Sequence, residues 1–87
     1  MVALAESTRG RTHVCAVGEA KSGQAPTGPI ELDRLDMAVS MLPREKVGPT
    51  IKRILFSRHG FTRELQKQAR LRTDVELVDL NRLYFGE

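Results

Sequence analysis

Apolar residues along this chain come in short runs, and the spacing inside each run says what it forms. Val14-Cys15-Ala16-Val17-Gly18-Glu19-Ala20-Lys21 opens with four apolar residues and a glycine, and closes on a carboxylate and an amine. Ended by Ser22-Gly23, such a run reads as a buried strand. Met1-Val2-Ala3-Leu4-Ala5 is a second run, and Ser7-Thr8-Arg9-Gly10-Arg11 between the two has the polarity and glycine of a hairpin turn. Residues 1–6 and 12–21 are therefore predicted to pair as an antiparallel hairpin.

Past a loop rich in Gly and Pro over 22–29, the period changes. Leu32, Leu35, Val39 and Leu42 fall at helical spacing, with Asp33, Arg34, Asp36 and Ser40 on the other face. Acidic residues crowd the first turns and Pro43 ends the segment, which predicts a helix over 30–42 lying on a sheet. Val47-Gly48-Pro49-Thr50 reads as a turn, and the β-branched and aromatic residues after it as a strand over 50–57. A helix is predicted over 62–72, with Thr62 as its N-cap, Glu64 in its first turn and Phe61, Leu65 and Ala69 on one face. Val75-Glu76-Leu77-Val78 is a last strand over 75–78. Asp79 then caps a short helix over 79–85 that turns Leu80, Leu83 and Tyr84 back to the core. This order predicts a single small α/β domain: a mixed sheet, first a hairpin and then mainly parallel strands, flanked by helices.

Composition narrows the picture. Eighty-seven residues make one small domain, and aromatics at 5% leave an aliphatic core. No apolar stretch reaches the length of a membrane span, so no membrane partner is expected. The single cysteine, Cys15, excludes an internal disulfide and reads as a small core residue in a reducing cytoplasm. Net charge is +3, and the excess is concentrated: residues 44–72 hold nine Lys or Arg against two Glu. That basic middle either meets nucleic acid, through Arg63, Lys67 and Arg70 with Arg44 and Lys46, or is a set of solvated faces.

Glu19 and Lys21 are two apart on a strand and so leave one face of the sheet at its C-terminal end. A carboxylate there can hold a hard cation such as Mg²⁺, and the ammonium beside it can orient a water or offset charge on a phosphodiester. The plainer alternative is a surface salt bridge between the two neighbours, contributing roughly 0–1 kcal/mol. His59 and Ser57 have no acid to complete a triad. His13, His59 and Cys15 lack the spacing of a metal site.

The Gly18-Glu19-Ala20-Lys21 strand after a hairpin and before a helix resembles the core of the PD-(D/E)xK, or restriction-endonuclease-like, superfamily. Ile54-Leu55-Phe56-Ser57-Arg58-His59-Gly60-Phe61-Thr62, followed by Val75-Glu76-Leu77-Val78-Asp79-Leu80, is similar to one branch of it. That branch is the nuclease-like C-terminal domain of archaeal and bacterial AAA-type ATPases related to DEXX-box ATPases. The resemblance implies Glu19 as a Mg²⁺ ligand, Lys21 as the water-orienting or charge-stabilising residue, and Ser57, Gly60, Phe61 and Thr62 as a structural strand-to-helix motif. It also implies DNA as substrate and an ATPase domain as partner.

The family's first acidic residue lies before a segment like Met1-Val2-Ala3-Leu4-Ala5, and no equivalent stands in this sequence. Glu6 sits too far along the strand to replace it. No phosphate-binding Gly-x-x-x-x-Gly-Lys-Ser/Thr occurs. The expectation is an N-terminally truncated nuclease-like domain that needs an acidic ligand from elsewhere before it holds Mg²⁺, and is not catalytic alone. The helix expected before the hairpin would be missing too, leaving apolar sheet surface open to a second copy of the chain.

Overall fold

The computed structural model describes residues 2–21 and 23–80. Strands β1 (Val2–Thr8) and β2 (Arg11–Lys21) form the hairpin, followed by α1 (Pro29–Ser40), β3 (Val47–Ser57), α2 (Arg63–Leu71) and β4 (Val75–Asp79). A short 3-10 turn, Arg44–Lys46, joins α1 to β3. The sheet order is β1-β2-β3-β4, antiparallel for the hairpin and parallel for the other two ladders. Arg9 and Gly10 alone separate the paired Thr8 and Arg11, and both have positive φ, 53° and 78°. A two-residue turn with that geometry matches the right-handed twist of the strands it joins.

The core lies between one face of the sheet and the two helices. Leu32 and Leu35 of α1 and Leu65 of α2 are buried against Val17, Ile51, Leu55 and Val75 of the strands. Val39, Leu42, Phe61 and Ala69 pack around them, so the helical spacings read from the sequence do mark the buried faces. Both helices lie on the same face because each crossover moves the chain one strand further in the same direction, and such connections share one hand. The opposite face is described by the even-numbered residues: Val2 and Leu4 opposite Gly18 and Ala16, then Ile54 and Phe56, then Val78. Phe56 lies across Gly18, where a Cβ would come within 3.3 Å of its ring.

A bulge at Cys15 sets this arrangement. Leu4 pairs with Ala16 but Ala5 with Val14, leaving Cys15 as the extra residue. Its thiol donates to the Leu4 carbonyl at 3.4 Å. The bulge lets Val14 and Val17 both reach the helix side although they are three apart.

One expectation needs correction. Val47–Thr50 is not a turn: β3 begins at Val47, paired with Val14, and the ladder then jumps to Ala16 with Lys52. Gly and Pro are tolerated there because the pairing is irregular at that point. Asp79 ends β4, paired with Ser57, and Leu80 directly after it is helical. The short helix expected over 79–85 otherwise lies outside the described residues, apart from Leu80.

Four charged residues lock the layers together beside the middle of β3 and the start of β4. Asp36 of α1 accepts from Arg53 Nε at 3.0 Å and from Arg72 Nη1 and Nη2 at 2.8 and 2.9 Å. Asp74 accepts from Arg53 Nη1 at 3.0 Å and from Arg72 Nε and Nη2 at 3.0 and 3.1 Å. Each carboxylate meets both guanidiniums, whose forked donors suit such double contacts.

Candidate functional site

The parallel strands end level with one another. Lys21, Ser57 and Asp79 stand side by side on β2, β3 and β4, and Glu19, Leu55 and Leu77 form the row before them. Both rows face the helices, as the contacts of Val17, Arg53 and Leu55 establish. Beyond Gly18, which pairs with Val2, no described residue of β1 lies beside β2.

Both helices begin at this end. Thr27 and Phe61 form a parallel bridge, with Thr27 N–H donating to the Gly60 carbonyl at 3.0 Å and Thr62 N–H to the Thr27 carbonyl at 2.9 Å. Gly60 has φ 80°, a conformation that turns the chain out of β3 into this bridge. Thr62 caps α2, its hydroxyl accepting from Leu65 N–H at 3.2 Å, as its position in the sequence predicted. Pro29 opens α1, where a missing N–H leaves nothing unsatisfied. The two helix N-termini bring partial positive charge to the end of the sheet.

Glu31, in the first turn of α1, was not singled out by sequence reasoning. Lys21 Nζ lies 3.1 Å from Glu31 Oε2, so Lys21 pairs with the helix that follows and not with its strand neighbour Glu19. Arg34 approaches the other oxygen of Glu31 at 3.5 Å. Glu19 is half-buried, and none of the ion pairs among the described residues includes it.

This donor set does not fit Mg²⁺ by itself. The ion prefers six oxygens and is held by at least one or two carboxylates. Glu19 supplies one, while Glu31 is engaged by two cations. Among the described residues no group of three or more His, Cys, Asp or Glu is placed to hold a metal.

The other sequence candidates are accounted for. Ser57 is fully buried, its hydroxyl accepting from His59 N–H at 3.3 Å, which fits a structural part in the strand-to-helix turn. His59 is exposed, and Glu6 pairs with His13 in the hairpin, remote from Glu19. Arg63, Lys67 and Arg70 form one exposed stripe along α2, at spacings of four and three. Arg44 and Lys46 pack beside β2, whereas α2 packs against α1 and β4, so the two basic groups do not form one patch.

Lys52 and Arg53 leave opposite faces of β3, Lys52 toward Glu76 at 3.7 Å and Arg53 into the Asp36–Asp74 cluster. A recess of about 760 Å³ lies between α2 and β4, lined by Phe61, Ala69, Arg70, Val75, Leu77 and Asp79 among others. It is at the β4 edge, two strands from Glu19. No helix among the described residues is long and apolar enough to cross a membrane.

The chain matches no protein-family model, no curated protein and no solved structure.

Proposed function

We propose that this chain is a nuclease-like domain of the PD-(D/E)xK kind, from an ATPase-associated protein, carrying the Glu-x-Lys half of a phosphodiester-cleaving site and not cutting DNA by itself. One observation carries the reading. Glu19 and Lys21 leave one face at the end of β2, the second arm of an antiparallel hairpin that passes through a helix into a parallel strand. That is the placement the superfamily's signature needs. The donor set explains the lack of activity: a single available carboxylate does not localise Mg²⁺, and the ammonium that would face the phosphate is neutralised by Glu31.

Supercoiled plasmid incubated with the protein and Mg²⁺ or Mn²⁺ tests this. No nicking above a no-metal control is expected. Robust metal-dependent nicking that disappears in Glu19→Ala would show the site to be complete and overturn the half-site reading.

A second reading, a DNA-docking module without catalysis, is favoured by the α2 stripe. Lys21, Arg34, Lys52, Arg53 and Arg72 all have carboxylate partners, while no ion pair found among the described residues engages Arg63, Lys67 or Arg70. Three such cations on phosphates predict a salt dependence of log K near −2.7, at about 0.9 per phosphate neutralised. Charge reversal at Lys67 and Arg70 should then weaken DNA binding while Glu19→Ala leaves it unchanged. Flat binding curves at low salt would remove this reading.

A further inference from the structure

Arg63, Lys67 and Arg70 are exposed along one flank of α2, and no ion pair found among the described residues engages them. From the first to the last the helix rises about 10 Å, at about 1.5 Å per residue. Successive phosphates of one DNA strand rise about 3.4 Å along the duplex axis, so the stripe matches about three phosphate steps. We propose that this flank docks on the phosphate backbone of duplex DNA, reads no base sequence and prefers the duplex to a single strand. The proposal rests on the DNA-docking reading above and names what that surface takes.

Two features set base readout aside. A helix that reads the major groove does so with side chains at its N-terminal end. Here that end is built into the Thr27–Phe61 bridge, with Thr62 N–H donating to the Thr27 carbonyl at 2.9 Å. Base edges are also read by side-chain amides with free donors and acceptors. The amide on this flank, Gln66, is already engaged, its Nε2 donating to the Phe61 carbonyl at 2.9 Å.

A different feature selects the duplex. Proteins grip single strands by stacking bases on aromatic side chains as well as by charge. The described aromatic residues are Phe56 and Phe61, and neither is exposed. Charge alone then decides, and a duplex carries more phosphate per length of axis than one strand does.

Neighbouring carboxylates keep the contact weak. Glu64 lies on the other flank of α2, while Glu76 and Asp79 border the recess beside Arg70. Lys52 holds Glu76 at 3.7 Å. Docking is therefore a low-salt contact, and affinity should fall about 200-fold between 20 and 150 mM NaCl, at about 0.9 per phosphate.

Fluorescence anisotropy of the whole chain tests this with two 24-base-pair duplexes of unrelated sequence and a single strand from one of them. Each is titrated over a salt series. The two duplexes should bind within about twofold of each other, and the single strand more weakly than either. Lys67→Ala should weaken both duplexes equally and make the salt slope shallower by about 0.9. Arg44→Ala, on the connection before β3, should leave the slope unchanged. Tenfold discrimination between the duplexes, or tighter binding to the single strand, would overturn the proposal while leaving the docking reading in place. So would a slope that depends on Arg44 and not on Lys67. No binding at low salt would remove the docking reading and this proposal together.

Discussion

Arg72 grips Asp36 with two parallel hydrogen bonds, Nη1 to Oδ2 at 2.8 Å and Nη2 to Oδ1 at 2.9 Å, joining residues 36 apart in the chain. Both Asp36 and Asp74 are held below the usual Asp value near 3.8, chiefly by their hydrogen bonds to Arg72 and against the effect of burial. Arg72 is in turn pushed further up by the same two carboxylates, Asp36 first. Perturbed titration often marks an active site, but this cluster is structural: it sits about 13 Å along the strands from the Lys21–Ser57–Asp79 row.

The network makes stability fall in acid. Each Asp has a lowered folded-state pKa, so its contribution is fully present above the unfolded value and fades as pH drops through the folded one. Asp36→Asn should lower the urea midpoint at pH 7, and the gap from the parent should narrow by pH 3. A gap equally wide at both values would show that the Asp36 charge is not the source.

Thr62→Ala removes the hydroxyl that receives Leu65 N–H and should destabilise the domain by about 1 kcal/mol. For a domain of this size that lowers Tm by about 4–8 °C. Thr62→Ser should keep most of the loss at bay, because the accepting oxygen remains.

Thr27 offers the opposite case. It is buried, and among the described residues its hydroxyl has no hydrogen-bond partner. Thr27→Val keeps the branched shape and removes the unsatisfied oxygen, so a gain of about 1 kcal/mol is expected, read as a rise in Tm. A fall in Tm would reveal a bonded hydroxyl.

Arg9 holds φ 53°, where an ordinary side chain is strained by roughly 1 kcal/mol. Arg9→Asn, giving the Asn-Gly pair favoured in such turns, should raise the urea midpoint. An unchanged or lower midpoint would mean that Arg9 makes compensating contacts.

Glu31→Gln separates the two functions of the strand end. It removes the negative partner of Lys21, so the Lys21 side chain should become more mobile than in the parent, measured by NMR relaxation of its ε-methylene group. No change would mean that the 3.1 Å pair is not maintained in solution.

Much of this was legible in the chain. Leu32, Leu35 and Leu65 announced the helices by spacing, Thr62 announced a helix start, and Gly60 a backbone that only glycine adopts easily. Long-range pairing was less visible. The bulge at Cys15 and the jump in the β2–β3 ladder fall at the same place, between Val14 and Ala16, and nothing in a run of apolar residues marks where the ladders fall out of step. Val47-Gly48-Pro49 carries turn residues yet starts a strand, at that same irregular point of the ladder. The Lys21–Glu31 pair joins residues ten apart and depends on the return angle of α1, which no local pattern encodes.

The sheet order follows the chain order. Each new strand is laid against the one synthesised just before it, and no strand has to be inserted between two that have already paired. Closing each ladder thus needs only one short search over a few tens of residues, which keeps contact order low for a sheet protein. Refolding should accordingly proceed by zipping outward from the hairpin, with β4 the last strand to join.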